Sequence, residues 1–146
     1  MKRFLLDVNV VLDVLLERSP HHEPAAALWA ALETGRGRDV LSAHAITTVH
    51  YLVQRARGRR VARLAVEALL TVYDVAPVDG GLLRAALSLD WPDVEDAVGA
   101  AAAAASGCDA IVTRNPRDFQ ACALPVIDAV TALAWLTVDE TGGATT

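Results

Sequence analysis

Lysine is almost missing from this chain. After Lys2 every further side chain that is cationic at pH 7 is an arginine, and acids outnumber Lys and Arg to leave a formal net charge of −5. Such a balance gives no global attraction for a polyanion, so any nucleic-acid binding falls to a local patch or to acids neutralised by metal. Cysteine is scarce as well. Cys108 and Cys122 form no CxxC pair, which argues against a disulfide framework and fits a reducing, cytoplasmic setting. The apolar stretch before Asp7 is too short for a signal peptide, and the alanine run 100–105 is too short to span a bilayer. No repeat, linker or second composition interrupts the chain. The expectation is a soluble protein with no membrane contact, folded as one domain over 1–138 and followed by a flexible, Gly/Thr-rich tail, 139–146. What is abundant is apolar: 53% hydrophobic residues in 146 suffice for a buried core.

Those apolar residues alternate between strand and helix patterns. Phe4-Leu5-Leu6 reads as a buried strand that stops at Asp7 and passes into a helix through Leu16. A break at Arg18-Ser19-Pro20 precedes a helix carrying Ala26, Trp29, Ala30 and Leu32, closed by a glycine cap at Gly35. Asp39–Ser42 is a short strand, and the spacing of Ile46, Val49 and Val53 predicts a helix ending near Gly58. Helices over 60–71 and 80–89 bracket a short strand at Tyr73–Pro77. Asp90 is the expected N-cap of a helix that carries the alanine run and stops at Gly107. Strands at Asp109–Thr113 and Val126–Ile127 follow, then a helix to about Leu136. This alternation predicts an α/β fold, a three-layer α/β/α sandwich with a mostly parallel central sheet.

In open sheets of this kind the carboxyl ends of the strands face the ligand crevice. A carboxylate buried there needs a positive partner, so Asp7 either takes a divalent cation or caps the helix that follows. Three other segments offer polar groups. Asp93, Glu95 and Asp96 open the alanine helix, where Asp93 and Glu95 also suit its dipole. Thr113-Arg114-Asn115-Pro116-Arg117-Asp118-Phe119 follows a strand, and turn chemistry alone accepts it. The third helix carries a polar stripe of Thr47, His50, Gln54 and Arg57.

Taken in order, three stretches carry a resemblance: Asp7-Val8-Asn9-Val10-Val11-Leu12-Asp13, Glu95-Asp96-Ala97-Val98-Gly99-Ala100-Ala101-Ala102, and Val112 through Phe119. Over about residues 1–136 the chain resembles the PIN-domain family, and in particular the VapC-like toxins of bacterial toxin–antitoxin pairs. The resemblance implies a metal-dependent endoribonuclease with a few acids around Mg²⁺ or Mn²⁺. Hard divalent cations take oxygen ligands, activate water and neutralise a phosphodiester. Carried over by motif, Asp7 is the first acid and Asp96 the helix acid. Asp118 precedes the closing phenylalanine, and Asn115 stands where many members carry an acid. The implied metal ligands are Asp7, Asp96 and Asp118, with Asn115 assisting. Glu95 is a candidate substitute ligand, but it points about a third of a turn from Asp96, so the two are not expected on one ion.

Many members place a glutamate on the third helix, where this chain has His50. Three roles stay open for it: metal ligand, base or phosphate contact, or a bystander on a polar face. With His50 and Asn115 both standing for acids, the expected site is charge-depleted, weaker for metal and biased to Mn²⁺. Arg114 is the expected phosphate clamp, and Asn9 orients Asp7 or bonds the loop. The implied partners are RNA, a small antitoxin seated in the groove, and a second copy of the chain as a homodimer.

Other features have plainer readings. His21, His22 and Glu23 look like a surface helix start, His44 is structural, and the three tryptophans are core or interface aromatics. Asp13 lies about 240° round the helix from Asp7, outside the primary site. Arg55, Arg57, Arg59, Arg60 and Arg63 crowd one helix junction, as a solvated face or a phosphate contact. Two rival functions stand beside the nuclease. One is a catalytically eroded PIN scaffold that binds RNA or protein. The other is a phosphatase of the haloacid dehalogenase type with Asp7 as nucleophile, which expects an acid where Asn9 stands and a lysine beyond Lys2.

Overall fold

The computed structural model describes residues 2–35, 38–119 and 121–145, with side chains through Val138. Its strands are β1 (Phe4–Leu6), β2 (Val40–Ser42), β3 (Asp74–Ala76), β4 (Ala110–Val112) and β5 (Val126–Ile127). Its helices are α1 (Val8–Leu15), α2 (His22–Thr34), α3 (Ala43–Arg57), α4 (Arg59–Val72), α5 (Gly80–Ser88), α6 (Val94–Ala105) and α7 (Ala129–Thr145). A short 3-10 turn, Pro116–Phe119, lies between β4 and β5.

Every strand pair is parallel, in the order β3-β2-β1-β4-β5. The expected "mostly parallel" sheet is thus wholly parallel among the described residues. Alternate strand residues feed opposite faces, as the pleat requires. Phe4, Leu6, Leu41, Ala110 and Val112 pack under α1, α2, α3, α4 and α7. Leu5, Val40 and Ile111 face the alanines of α6, with Leu82 of α5 and Trp91 beside them. Burial on both faces explains why the strands are continuous apolar runs. The chain order reverses between β1 and β4, whose register pairs Leu6 with Val112. That places Asp7 and Thr113 side by side where the crevice of such a sheet opens.

Some boundaries depart from expectation. Asp93, not Asp90, caps α6 through its side chain to the Asp96 N–H at 3.2 Å. Asp90 instead has φ +56° and follows the end of α5. Gly35 follows α2 in an extended conformation and uses no glycine freedom, whereas Gly58 turns the chain between α3 and α4 at φ +90°. The backbone of α7 runs on to Thr145, past the expected end near Leu136. The flexibility expected of 139–146 concerns side chains, and at 146 a residue, outside the described set. No helix among the described residues is long and apolar enough to cross a membrane.

Candidate active site

The sheet's carboxyl edge holds a cavity of about 160 Å³, lined from four directions. Asp7 and Asn9 enter from β1 and the start of α1, and Ser42, His44, Ala45 and Thr48 from β2 and α3. Asp93, Glu95, Asp96 and Gly99 come from the start of α6, and Asp118 and Phe119 from the 3-10 turn. A Cβ added at Gly99 would meet nothing within 4 Å. Its small size therefore keeps space in the cavity.

Asp7 does both things its position allowed. Its Oδ1 accepts the Val8 N–H at 2.9 Å, capping α1, while its Oδ2 accepts the Thr113 hydroxyl at 3.0 Å. Its own N–H donates to the Val112 carbonyl at 2.8 Å, locking it to β4. Burial pushes its carboxyl above the ordinary range; the Thr113 and Val8 bonds and Arg114 oppose that, while Asp118 adds to it. Thr113 is fully buried and also accepts the Asn115 N–H at 3.1 Å. The sequence offered Thr113 only as part of a polar segment; parallel pairing of two strands that both end at a polar residue was the usable signal for its bond to Asp7.

Asp96 is the most perturbed acid of the cavity. Burial, then Asp93, Asp7, Asp118 and Glu95, push it up to about 7. Asp118 is held in place by its neighbour Phe119, which is buried edge-on to Trp91 at 5.8 Å. The structure thus brings Asp7, Asp96 and Asp118 to one cavity, and adds Asp93 and Glu95. Five carboxylates line the space, and among the described residues no lysine or arginine does.

Five other residues bear on the site. His50 does not line the cavity; it lies about 200° round α3 from Thr48, which does. His44 takes the place at the wall, with Nδ1 2.9 Å from the Ser42 hydroxyl and no hydrogen bond to Nε2 among the described residues. Burial lowers its pKa, opposed by Glu95 and Asp7, which favours neutral imidazole. Asn115 stays outside the lining because the chain turns there, its carbonyl taking the Asp118 N–H at 3.1 Å. Arg114 is turned to Asp13, its Nε 3.0 Å from Oδ2. Asn9 reaches the cavity wall but does not orient Asp7; its side-chain oxygen accepts Arg18 Nη2 at 3.2 Å.

The sequence profile of the PIN domain matches residues 3–117. The chain belongs to the PIN-domain family. Among curated proteins no sequence matches it. Solved structures share the fold of this PIN domain at low identity. DNA-bound VapBC from Salmonella typhimurium is 20% identical, with a TM-score of 0.67 over 88% of this chain and 99% of that one. VapC20 of Mycobacterium tuberculosis, described as a toxin cleaving the sarcin–ricin loop, is 21% identical, with a TM-score of 0.63 over 74% and 86%. FitAcB of Neisseria gonorrhoeae is 21% identical, with a TM-score of 0.63 over 86% and 97%.

The cavity of this PIN domain offers only hard oxygen donors and His44, a set that suits Mg²⁺ or Mn²⁺ rather than a thiophilic metal. Clustered acids without a cation raise one another's pKa, and Asp96 shows this. Among the described residues no three acid, histidine or cysteine side chains close on a single point. The fit to a cation rests on the chemistry of the donors.

Proposed function

We propose that this PIN domain is a metal-dependent endoribonuclease and the toxin of a toxin–antitoxin pair. The observation that carries the reading is the uncompensated group of Asp7, Asp93, Glu95, Asp96 and Asp118 at the sheet's carboxyl edge. Asp7, Asp96 and Asp118 are the residues that would hold Mg²⁺ or Mn²⁺. When bound, such an ion supplies a nucleophilic water and neutralises charge on the cleaved phosphodiester.

The chain's own groups have separable tasks. Val8 and Thr113 fix one rotamer of Asp7, so its donor atoms are placed in advance. Asp96 must shed its proton to bind a cation, and with its pKa near 7 that happens around neutrality. His44, steadied by Ser42, offers a neutral imidazole to the cavity. It, rather than His50, is the histidine placed for a proton or a phosphate oxygen. Arg114 stands beside Thr113, at the rim, for phosphate contact. Asn115 and Asn9 support the loops and touch no reacting atom. The retained acids weigh against the eroded scaffold, and Asn9, bonded to Arg18, does not serve the phosphatase reading. The expected setting is the cytoplasm, with an antitoxin over the groove and a second copy of the chain as dimer partner; the VapBC and FitAcB structures that share the fold are consistent with this.

Cleavage of a mixed RNA panel with Mg²⁺ or Mn²⁺ tests the reading, using wild type, Asp7→Asn and Asp96→Asn. Cutting that needs metal and fails in both variants supports it. A folded wild type that binds RNA and never cuts leaves a binding module instead.

A further inference from the structure

Asp13 sits in the last turn of α1 with its side chain only 2% exposed. Burying a carboxylate this deeply demands positive charge, and two arginines supply it. Arg18 Nε lies 2.9 Å from Oδ1 and Arg114 Nε 3.0 Å from Oδ2, one guanidinium to each oxygen. Neither Nε–H is aligned well enough to be a hydrogen bond, so the contact is charge on charge. Arg18 continues to Asn9 on the cavity wall through Nη2. Arg114 is flanked by Thr113, which holds Asp7, and by Asn115. Its side chain is 29% exposed, and among the described residues no group accepts from its Nη atoms. The guanidinium is thus pinned at one edge and open at the other. An arginine can hold two anions apart in this way because its donors form a rigid fork; the three donors of a lysine radiate from one nitrogen and fix no such geometry.

We propose that Asp13 is a positioning residue, which holds Arg114 by Nε at the rim of the carboxylate cavity so that its Nη groups take a phosphate oxygen of bound RNA. The identity of that anion rests on the ribonuclease reading. The carboxylate cavity repels an RNA backbone, and a fixed cation at its rim opposes this. Arg114 left unanchored would turn toward the acids it borders.

The test is a mutant cycle of Asp13→Asn and Arg114→Lys, with Arg114→Gln as a third single variant. The readouts are binding of a fluorescein-labelled single-stranded RNA in EDTA across a salt series, and kcat/KM for its cleavage with Mn²⁺. Arg114→Lys keeps the charge that balances Asp13. It is expected to lose about tenfold in RNA affinity, as much as Arg114→Gln. Asp13→Asn is expected to lose a similar factor well below its melting temperature, and the double variant no more than either single. Unchanged RNA affinity in folded Asp13→Asn, or losses that multiply in the double variant, would overturn the proposal. Should Asp13→Asn fail to fold, the arginine variants decide: lysine behaving like wild type overturns it, and lysine behaving like glutamine supports it. A wild type that binds this RNA without cutting it ends the nuclease reading and leaves the cycle readable. One that binds no RNA at any salt overturns both.

Discussion

Asp7 caps the start of a short helix and Asp13 sits in its last turn, and the fold treats them in opposite ways. Asp7 accepts hydrogen bonds only from neutral donors, the Val8 N–H and the Thr113 hydroxyl, and it faces further acids, with the Arg114 charge the smallest of the influences on it. Asp13 is given two guanidinium groups and no view of the cavity. An acid left without a cation is held ready for one that arrives from outside, whereas an acid already paired is a strut. The strut ties the end of α1 to the loop after β4, and so frames the open site.

The sharpest way to break this contrast is to neutralise each acid in turn. Asp7→Asn should reduce cleavage by about 10³-fold, because the charge stabilisation a bound cation offers is worth several kcal/mol. The same change should leave unfolding free energy level or raise it, since it removes a charge that burial disfavours. Kinetics paired with urea unfolding reads both. Asp13→Ala should do the reverse for stability, with a loss of about 3 kcal/mol, the lower part of the range for stripping one partner from a buried pair. Its arginines retain some access to water, which limits the loss. If Asp13→Ala unfolds as wild type does, the strut is no strut.

Metal sharpens the same comparison. Mn²⁺ at a hundredfold over its Kd should stabilise the wild type by about 2.7 kcal/mol. Asp7→Asn should lose most of that shift, and Arg18→Gln, which touches the paired acid and Asn9 but none of the open acids, should keep it; thermal melts with and without Mn²⁺ decide. Thr113→Val should cost about 1–2 kcal/mol, because it leaves the Asn115 N–H unpaired as well as Asp7 less fixed. It should also lower kcat about tenfold, as loss of a ligand's supporting bond does.

The smallest effect is on pH dependence in the metal-free protein. Asp96 has a folded pKa of about 7 against 3.8 for the free group. Below 3.8 both states carry the proton and the penalty vanishes. As pH rises the unfolded chain ionises first, so stability falls until about 7 and is level above it. The part-buried position of Asp96 screens this to on the order of 1 kcal/mol. Asp96→Asn should flatten the slope in chemical denaturation between those pH values; an unchanged slope would place the perturbed acid elsewhere.

Motif and period carried much of this site, but not its helix faces. Asp7 was legible because a strand ending at a carboxylate is a local event, and Asp118 because Phe119 marks the loop. Asp93 and Glu95 read as dipole acids because both fall at the start of α6. The cap at Asp93 leaves Glu95 and Asp96 in the first turn, and all three line the cavity. His50 and His44 show a finer limit. At about 100° per residue, small differences in where α3 meets the sheet decide which histidine reaches the cavity, and motif matching carries no angle.

The sequence by itself determined the alternation of strand and helix, the double-sided burial of the sheet and the acids that end or follow its strands. These depend on periodicity and on neighbours a few residues apart. Only the tertiary structure decided which charges are paired. Asp13 and Arg114 lie far apart in the chain, and so do Asp7 and Thr113. They meet because β1 and β4 run side by side in parallel register. Coulomb attraction and hydrogen bonding depend on distance in space, which chain order does not encode, so a compensated acid and an uncompensated one look alike until the sheet is assembled.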